Sequence, residues 1–450
     1  MSSVKDIAGL KAGVAAAIDE NAERIIGIGE AILRAPETGF QEVRTAARVA
    51  EVLGALGLAP QTGLALTGVK AVADGGGPGP TLALLGELDS LCIPAHPFAD
   101  PETGAAHACG HNAQIAGMLG AAMGLTGSGA LSELGGRLAF MAVPAEELIE
   151  VDYRLGLRER GEIEFLTGKA ELIRLGHFSD VDMALMCHTK NDERPSHVAD
   201  SSNGALIKRI RFLGRAAHAG SQPQRGINAL NAANLAMTAI ALLRETFYDH
   251  DTIRIHPIIT RGGDAVSSVP AEVTMETFVR GRSLEGIVDA NRKVDRALRG
   301  AAYAIGADVE IETTAGYLPQ HNNPRMSELW GENVRGLYGE DGFYREEHRT
   351  GSTDMGDLGH IMPVTHPYIW GAKGVGHGAD YILESKADVY VNMAKLLAMT
   401  AVDLLAQGAR EARAVLDSSP PKLTVAEYLE FARGMNATAR HEAARTLEGS

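Results

Sequence analysis

The sequence predicts an α/β fold with a mostly parallel sheet and an inserted second domain. Two observations carry this. Short unbroken apolar runs recur, and each ends on ionisable residues: 81–85 leads into Gly86-Glu-Leu-Asp89, 137–143 into Pro144-Ala-Glu146-Glu147, and 181–187 into His188. Continuous apolar runs bounded by turns suit buried parallel strands, and segments of helical spacing such as 113–125 separate them. The second observation is a change of rhythm at about Asn203. From there, strand-like and helix-like segments follow in the order β-α-β-β-α-β, the ferredoxin-like arrangement.

The elements follow in chain order. Residues 4–18, 22–33 and 40–56 carry apolar side chains at helical spacing, with Pro36-Glu-Thr-Gly39 as punctuation. Asp74-Gly-Gly-Gly-Pro-Gly-Pro80 is a turn. A phosphate-cradling loop is its sharper reading, but no Lys-Ser/Thr follows and no helix opens there. The three sheet runs come next. In the insert, 206–213 alternates like a half-exposed strand, 228–246 is a long helix, 252–259 and 273–279 are strands, 284–305 is a helix and 309–313 is the last strand. The first domain resumes after Tyr317-Leu-Pro-Gln-His and closes on a strongly apolar helix over 389–405. Ser418-Ser-Pro-Pro421 breaks the chain, and 427–447 is expected to be a polar tail helix on the surface or in an oligomer contact. The expected division is 1–202 and 317–415 for the two parts of the first domain, 203–316 for the insert and 416–450 for the tail. A chain of 450 residues is long for one domain, in keeping with this.

Charge narrows the function classes. Lys and Arg total 42 against 57 for Asp and Glu, a formal net charge of −15. Such a chain repels a phosphate backbone, so nucleic acid is not an expected partner. No apolar run is read as reaching the roughly 20 residues of a membrane span, and Met1-Ser-Ser-Val-Lys-Asp lacks the layout of a secretory signal. Three cysteines, Cys92, Cys109 and Cys187, are too few for a disulfide framework and suit a reducing compartment, so the cytoplasm is expected.

The chemistry concentrates at the ends of the sheet runs. In His107-Ala-Cys109-Gly-His111-Asn112, a thiolate and an imidazole stand one residue apart before an apolar helix. Each alone is a common core residue, but together with Glu146-Glu147 they form the S, N and O donor set of a transition-metal site. Two adjacent carboxylates after a buried strand are costly without a positive partner. They allow a division of labour in which Glu147 binds metal and Glu146 takes a proton from activated water and passes it to a leaving amine. His188, at a strand end, and His377, in Gly374-Val-Gly-His-Gly-Ala-Asp380, are candidates for the remaining ligands. Asp89 is a candidate acceptor for the outer N–H of a ligand imidazole, or else a turn residue. His96, His197, His250, His256, His321, His348 and His441 read as surface or loop histidines.

These residues carry a family resemblance. His107-Ala-Cys-Gly-His111, Pro144-Ala-Glu-Glu147, and Ala217-His-Ala-Gly220 with Gly226-Ile-Asn-Ala-Leu230 resemble the M20 metallopeptidase and amidohydrolase family. The branch is that of aminoacylases, auxin-conjugate hydrolases and aminobenzoyl-glutamate hydrolases, and Gly351-Ser-Thr-Asp-Met-Gly356 is similar to aminobenzoyl-glutamate hydrolases and M20 dipeptidases. The resemblance runs from about Ala22 to Leu405. It implies a hydrolase domain with a mixed, mostly parallel sheet holding two divalent ions, zinc or manganese, with cobalt also compatible with the donors. It implies Cys109 as bridging ligand, with His111, Glu147, His188 and His377 completing the set, Glu146 as general base and Asp89 behind the ligands. The insert then resembles a lid and homodimerisation domain in which His218 stabilises the oxyanion, from the opposite subunit in dimeric members. Arg280 and Asn228 are its implied substrate contacts. Closure of such a lid places hinges near Ser202 and Gly316.

The chain also departs from the pattern. Asn112 stands where many relatives have Asp, and Ser267 stands where the run Gly262-Gly-Asp-Ala-Val-Ser-Ser-Val-Pro270 often carries an asparagine that holds substrate. Residues 94–103 lengthen the link between Asp89 and His107. The expected activity is hydrolysis of the amide bond of a small N-acyl amino acid or related amide. The alternatives are a dipeptidase or carboxypeptidase of the same family, or a metal-binding scaffold without catalysis.

Overall fold

A computed structural model describes residues 6–443. The chain forms two compact units. One gathers the residues up to Asp200 with His321–His348 and Asp357–Val425. The other gathers Ser201–Gln320, Arg349–Gly356 and the residues from Ala426 onward.

The first unit is built on a six-stranded sheet. Its members, in order across the sheet, are Gln61–Leu64, Gly68–Asp74, Gly135–Val143, Gly77–Glu87, Met183–Met186 and Val364–Thr365. The first two pairings are antiparallel and the other three parallel, so the sheet is mixed and mostly parallel. The three runs expected as strands lie side by side within it. Glu87 pairs with Val143 and Leu85 with Met186, which brings all three strand ends out at one edge. Ligands of open α/β sheets gather at that carboxyl edge. A smaller four-stranded sheet of Phe343–Glu346, Ser196–Ala199, Tyr368–Ile369 and His188–Thr189 lies in the same unit.

The helix His111–Gly127 is buried from His111 to Leu125 because other helices and the sheet enclose it. After its first turn it is apolar on every side, as a helix without a solvent face must be. Glycines allow the approach: a Cβ on Gly120 would lie 2.7 Å from the Ala394 side chain, and one on Gly124 would lie 2.4 Å from Ile18. The closing helix is longer than the sequence indicated. A π-helical turn, Ala387–Asn392, runs into Met393–Ser418, whose backbone leaves helical geometry from Ala406 to Ala409. Against the sequence expectation, Ala387–Ser418 has the length and apolar character of a membrane span. However, 83% of its most apolar stretch is buried, and its residues belong to the core of the first unit.

Two histidines read as surface residues are core residues. His96 is 4% exposed; its Nδ1 accepts from the Phe98 N–H, and its Nε2 donates to the Tyr381 carbonyl at 2.7 Å. His197 is 1% exposed and stacked between Tyr344 and Tyr368, with ring centroids 4.9 and 5.0 Å away. In both cases a residue distant in sequence supplies the cover.

In the second unit the order is Gly204–Leu213, Ala229–Leu242, Arg254–Ile255, Ile258–Arg261, Glu272–Gly281, Leu284–Ile305 and Asp308–Tyr317. The strands of its six-stranded sheet pair antiparallel. Strand Glu272–Gly281 alternates between buried and half-buried residues, the pattern of a sheet covered on one face. The two long helices share its apolar core. The tail differs from expectation. Its helix spans Val425–Met435 only, and Ala437–His441 forms a strand on the edge of Asp308–Tyr317. Arg440 meets Asp308 and Glu310 there. An unpaired strand edge offers a ladder of hydrogen bonds that outweighs weak helix propensity. Of the expected tail helix, 444–447 lie outside the described residues.

Candidate metal centre

The first unit assembles the thiol, imidazoles and carboxylates at the carboxyl edge of its sheet. Cys109 lies just before the helix, and His111 is that helix's first residue. Gly110 between them has φ 90°, and a Cβ there would lie 2.0 Å from Thr189 Oγ1, so the turn requires glycine. Cys109, His111 and His188 form one group whose ligand atoms lie within 4.8 Å of one another, and Cys109, Glu147 and His377 form a second. The sulfur is common to both. All five side chains named from the sequence as metal ligands therefore meet at one place.

The hydrogen bonds set the ring orientations. His111 Nδ1 faces two acceptors of Asp89, the carbonyl at 2.9 Å and Oδ1 at 3.1 Å, so Nδ1 carries the proton. His188 Nδ1 likewise donates to the Thr189 carbonyl at 2.7 Å, and its Nε2 lies 3.2 Å from Cys109 Sγ. Both rings thus keep Nε2 for a ligand, the usual arrangement of a metal-binding histidine. Asp89, fully buried, also accepts the Glu147 N–H on Oδ2 at 2.9 Å, and so ties the His111 ring to the Glu147 backbone. His377 has φ 64° and is held by its N–H to the Ala108 carbonyl at 2.9 Å. Its Nε2 lies 3.3 Å from Glu147 Oε1.

The electrostatics favour a thiolate at Cys109 and a carboxylate at Glu147. Burial and Glu147 push the Cys109 thiol upward, but the imidazoles of His188 and His111 outweigh them and bring it down to about 6. Burial raises the Glu147 carboxyl, while His377 outweighs it and holds the group at about 2. His377 is pushed up to about 11 by hydrogen bonds to Cys109 and Glu147. One atom tests the fit to a cation. His111 Nε2 is buried without a hydrogen-bond partner. Such an atom is expensive unless a positive charge satisfies it, and with a neighbouring thiolate the donor set suits a divalent transition metal.

Several residues of the site were not singled out from the sequence. Glu87 forms a third group with His111 and Glu146. The signal was present, since Glu87 and Asp89 are two apart at a strand end and share a face. Glu42 and Arg154 hold the loop that carries Glu146. Ala145 has φ 50°, an uncommon conformation for a residue with a Cβ. Its N–H donates to Glu42 Oε1 at 2.8 Å, and its carbonyl accepts from Gly168 at 3.2 Å and from Arg154 Nη1 at 3.4 Å. Glu42 and Arg154 are both fully buried. Burial and the Asp89 charge raise the Glu42 carboxyl to about 7. No sequence pattern announced this clamp, because its parts lie far apart in the chain.

In the second unit, His218 is exposed, and its Nδ1 accepts from the N–H groups of Gly220 and Ser221, each at 3.1 Å. The ring therefore carries its proton on Nε2. Arg280 lies in strand Glu272–Gly281, 4.9 Å over the Phe278 ring, with Nη1 3.4 Å from Ser352 Oγ. Asn228 caps the helix Ala229–Leu242, its Oδ1 accepting from Leu230 and Asn231. The Ser267 carbonyl accepts from Ala219 at 2.8 Å.

Comparison with known proteins fits this geometry. The profile of Peptidase family M20/M25/M40 matches residues 83–403. The chain belongs to that family. Membership makes it a hydrolase of amide bonds, and the family includes dinuclear metal-binding members. An Xaa-Arg dipeptidase from Mus musculus is 29% identical over 429 residues, covering 90% of this chain and 91% of its own. A p-aminobenzoyl-glutamate hydrolase polypeptide of Escherichia coli (strain K12) is 28% identical over 319 residues, covering 67% of this chain and 61% of its own. A dinuclear metal-binding M20 peptidase from Bacillus subtilis superposes with a TM-score of 0.65 at 21% identity, covering 86% of this chain and 99% of its own. That last likeness speaks for the fold.

Proposed function

We propose that this M20 protein hydrolyses the amide bond of a small N-acyl amino acid or related amide at a two-metal centre. The observation that carries the reading is the pair of ligand groups sharing Cys109, with Glu146 beside His111. Cys109, His111, Glu147, His188 and His377 would hold the ions, and their donor set accepts zinc, manganese or cobalt. Divalent ions at such a site polarise a scissile carbonyl and acidify water. Glu146 acts as general base toward that water and returns the proton to the leaving amine. Asp89 orients His111 and the Glu147 backbone. His218, with its proton on Nε2, donates to the developing oxyanion. Arg280 and the Asn228 amide group contact the substrate. The second unit acts as a ferredoxin-like lid that also forms a homodimer, with closure about hinges near Ser202 and Gly316. The setting is the cytoplasm, which suits a required free thiolate at Cys109, with neither nucleic acid nor membrane as partner.

One observation favours a second reading. The similarity to the mouse Xaa-Arg dipeptidase spans nine-tenths of both chains, which supports a dipeptidase with a free amine on the acyl side. One experiment separates the two. Metal-reconstituted protein is incubated with a mixed panel of N-acyl amino acids and free dipeptides, including Xaa-Arg, and products are read by mass spectrometry against Glu146→Gln. Cleavage of acylated substrates alone supports the first reading, and cleavage of free dipeptides alone replaces it with the second. No Glu146-dependent cleavage in either class defeats both.

A further inference from the structure

We infer that Glu87 is a further ligand of the cation held by His111, a sixth protein side chain in the centre. The inference rests on the two-metal reading above. Glu87 is the last residue of strand Gly77–Glu87 and is 1% exposed. Both its oxygens are fixed. Oε1 accepts from Lys169 Nζ at 2.6 Å, and Oε2 accepts from Gln114 Nε2 at 2.7 Å, while Gln114 Oε1 takes the Glu87 N–H at 3.2 Å. Lys169 is fully buried. Held in this way, Oε2 lies 3.1 Å from His111 Nε2. That nitrogen has no hydrogen-bond partner, and the ring proton is committed to Asp89 on the other side. A ring nitrogen and a carboxylate oxygen therefore face each other at close range in a dry place. They repel unless a positive charge lies between them, a proton in the metal-free protein or a cation when one is bound. Ligand bonds of about 2.0–2.2 Å set two ligand atoms of one ion roughly 2.8–3.6 Å apart, from right-angled to tetrahedral coordination, and the observed spacing falls in that range.

Glu146 shares the group with His111 and Glu87. Glu87 is clamped by an ammonium and an amide, so it is built to stay in place rather than to exchange a proton. Lys169 neutralises the carboxylate before any cation arrives and so keeps the site formed in the empty protein. Its helix, Gly168–Arg174, begins at the N–H that donates to the Ala145 carbonyl at 3.2 Å and so joins the Lys169–Glu87 pair to the loop that carries Glu146.

Full-length protein is stripped with a chelator and retitrated with Zn²⁺ by calorimetry, with metal content read by plasma mass spectrometry. Wild type takes up two cations per chain. Glu87→Gln is expected to lose one of them or to hold it more than about 100-fold more weakly, because partners outside the coordination shell cost only about 10–100-fold. Since Glu87→Gln leaves the Lys169 ammonium buried and alone, the double variant Glu87→Gln/Lys169→Met removes that charge, and its deficit must persist. A smaller loss in Glu87→Gln, or recovery of both cations in the double variant, overturns the inference. Wild type that takes up no cation overturns the two-metal reading itself.

Discussion

In the first unit, His111 and Asp89 are buried to within 1%, and Asp89 fixes both the His111 ring and the Glu147 N–H. In the second, His218 is exposed on a turn and is oriented only by the N–H groups of its own neighbours, Gly220 and Ser221. The first arrangement is over-determined. A ligand set must be in place before the cation arrives, and buried partners supply the rigidity. The second fixes a tautomer and little else, which suits a donor required only when charge develops. Substitutions of the proposed ligands and the residues that orient them should therefore disturb metal content or stability along with turnover, whereas substitutions on the exposed turn should disturb turnover alone.

The sharpest test of that contrast lies within the buried centre. Glu146→Gln is expected to lower turnover by roughly 10²–10⁴-fold with both cations retained, whereas Glu147→Gln loses a cation. If both variants keep full metal content, Glu147 is not a ligand. Next in size, His218→Ala should lower kcat by roughly 10²–10³-fold while KM, metal content and Tm stay at wild-type values. A turnover loss below about tenfold removes His218 from the oxyanion role.

A smaller effect comes from the clamp on the Glu146 loop. Burial raises the Glu42 carboxyl from 4.5 to about 7, so the folded protein binds a proton that the unfolded chain releases. The stability associated with that proton is complete below pH 4.5 and is lost as pH rises toward about 7. Glu42→Gln keeps the shape and removes the titration. Denaturant unfolding should then show the variant gaining on wild type between pH 5 and pH 8, by at most about 3 kcal/mol. A difference that does not change with pH contradicts the protonated, buried Glu42. The smallest expected effect is in the second unit. Asn228→Ala removes the helix cap and should cost about 1 kcal/mol of stability, and a rise in KM measured beside it tests the substrate contact.

Much of the centre was legible because its parts lie where local patterns end. An apolar run that stops at Glu146-Glu147 or at His188 shows both the strand and the residue it presents. The family motifs then tie Cys109, His111 and His377 to them. Other features were hidden. His96 and His197 carry no local mark of burial, since Tyr381, Tyr344 and Tyr368 bury or fix them from elsewhere in the chain. Glu87 was within view but unassigned, because only the placement of Lys169, Gln114 and His111 around it separates a ligand from a strand-end acid. The tail strand Ala437–His441 exists only because an unpaired edge is available to it.

By itself, then, the sequence determined the order of elements, the direction of the inner strands and the candidate ligands, since periodicity and residue chemistry are local properties of the chain. Tertiary structure alone decided which imidazole nitrogen is left for a ligand, which carboxylates are fixed and how the Ala145 peptide is held. Those outcomes depend on hydrogen bonds and desolvation, and both are set by groups that meet only once the chain has folded.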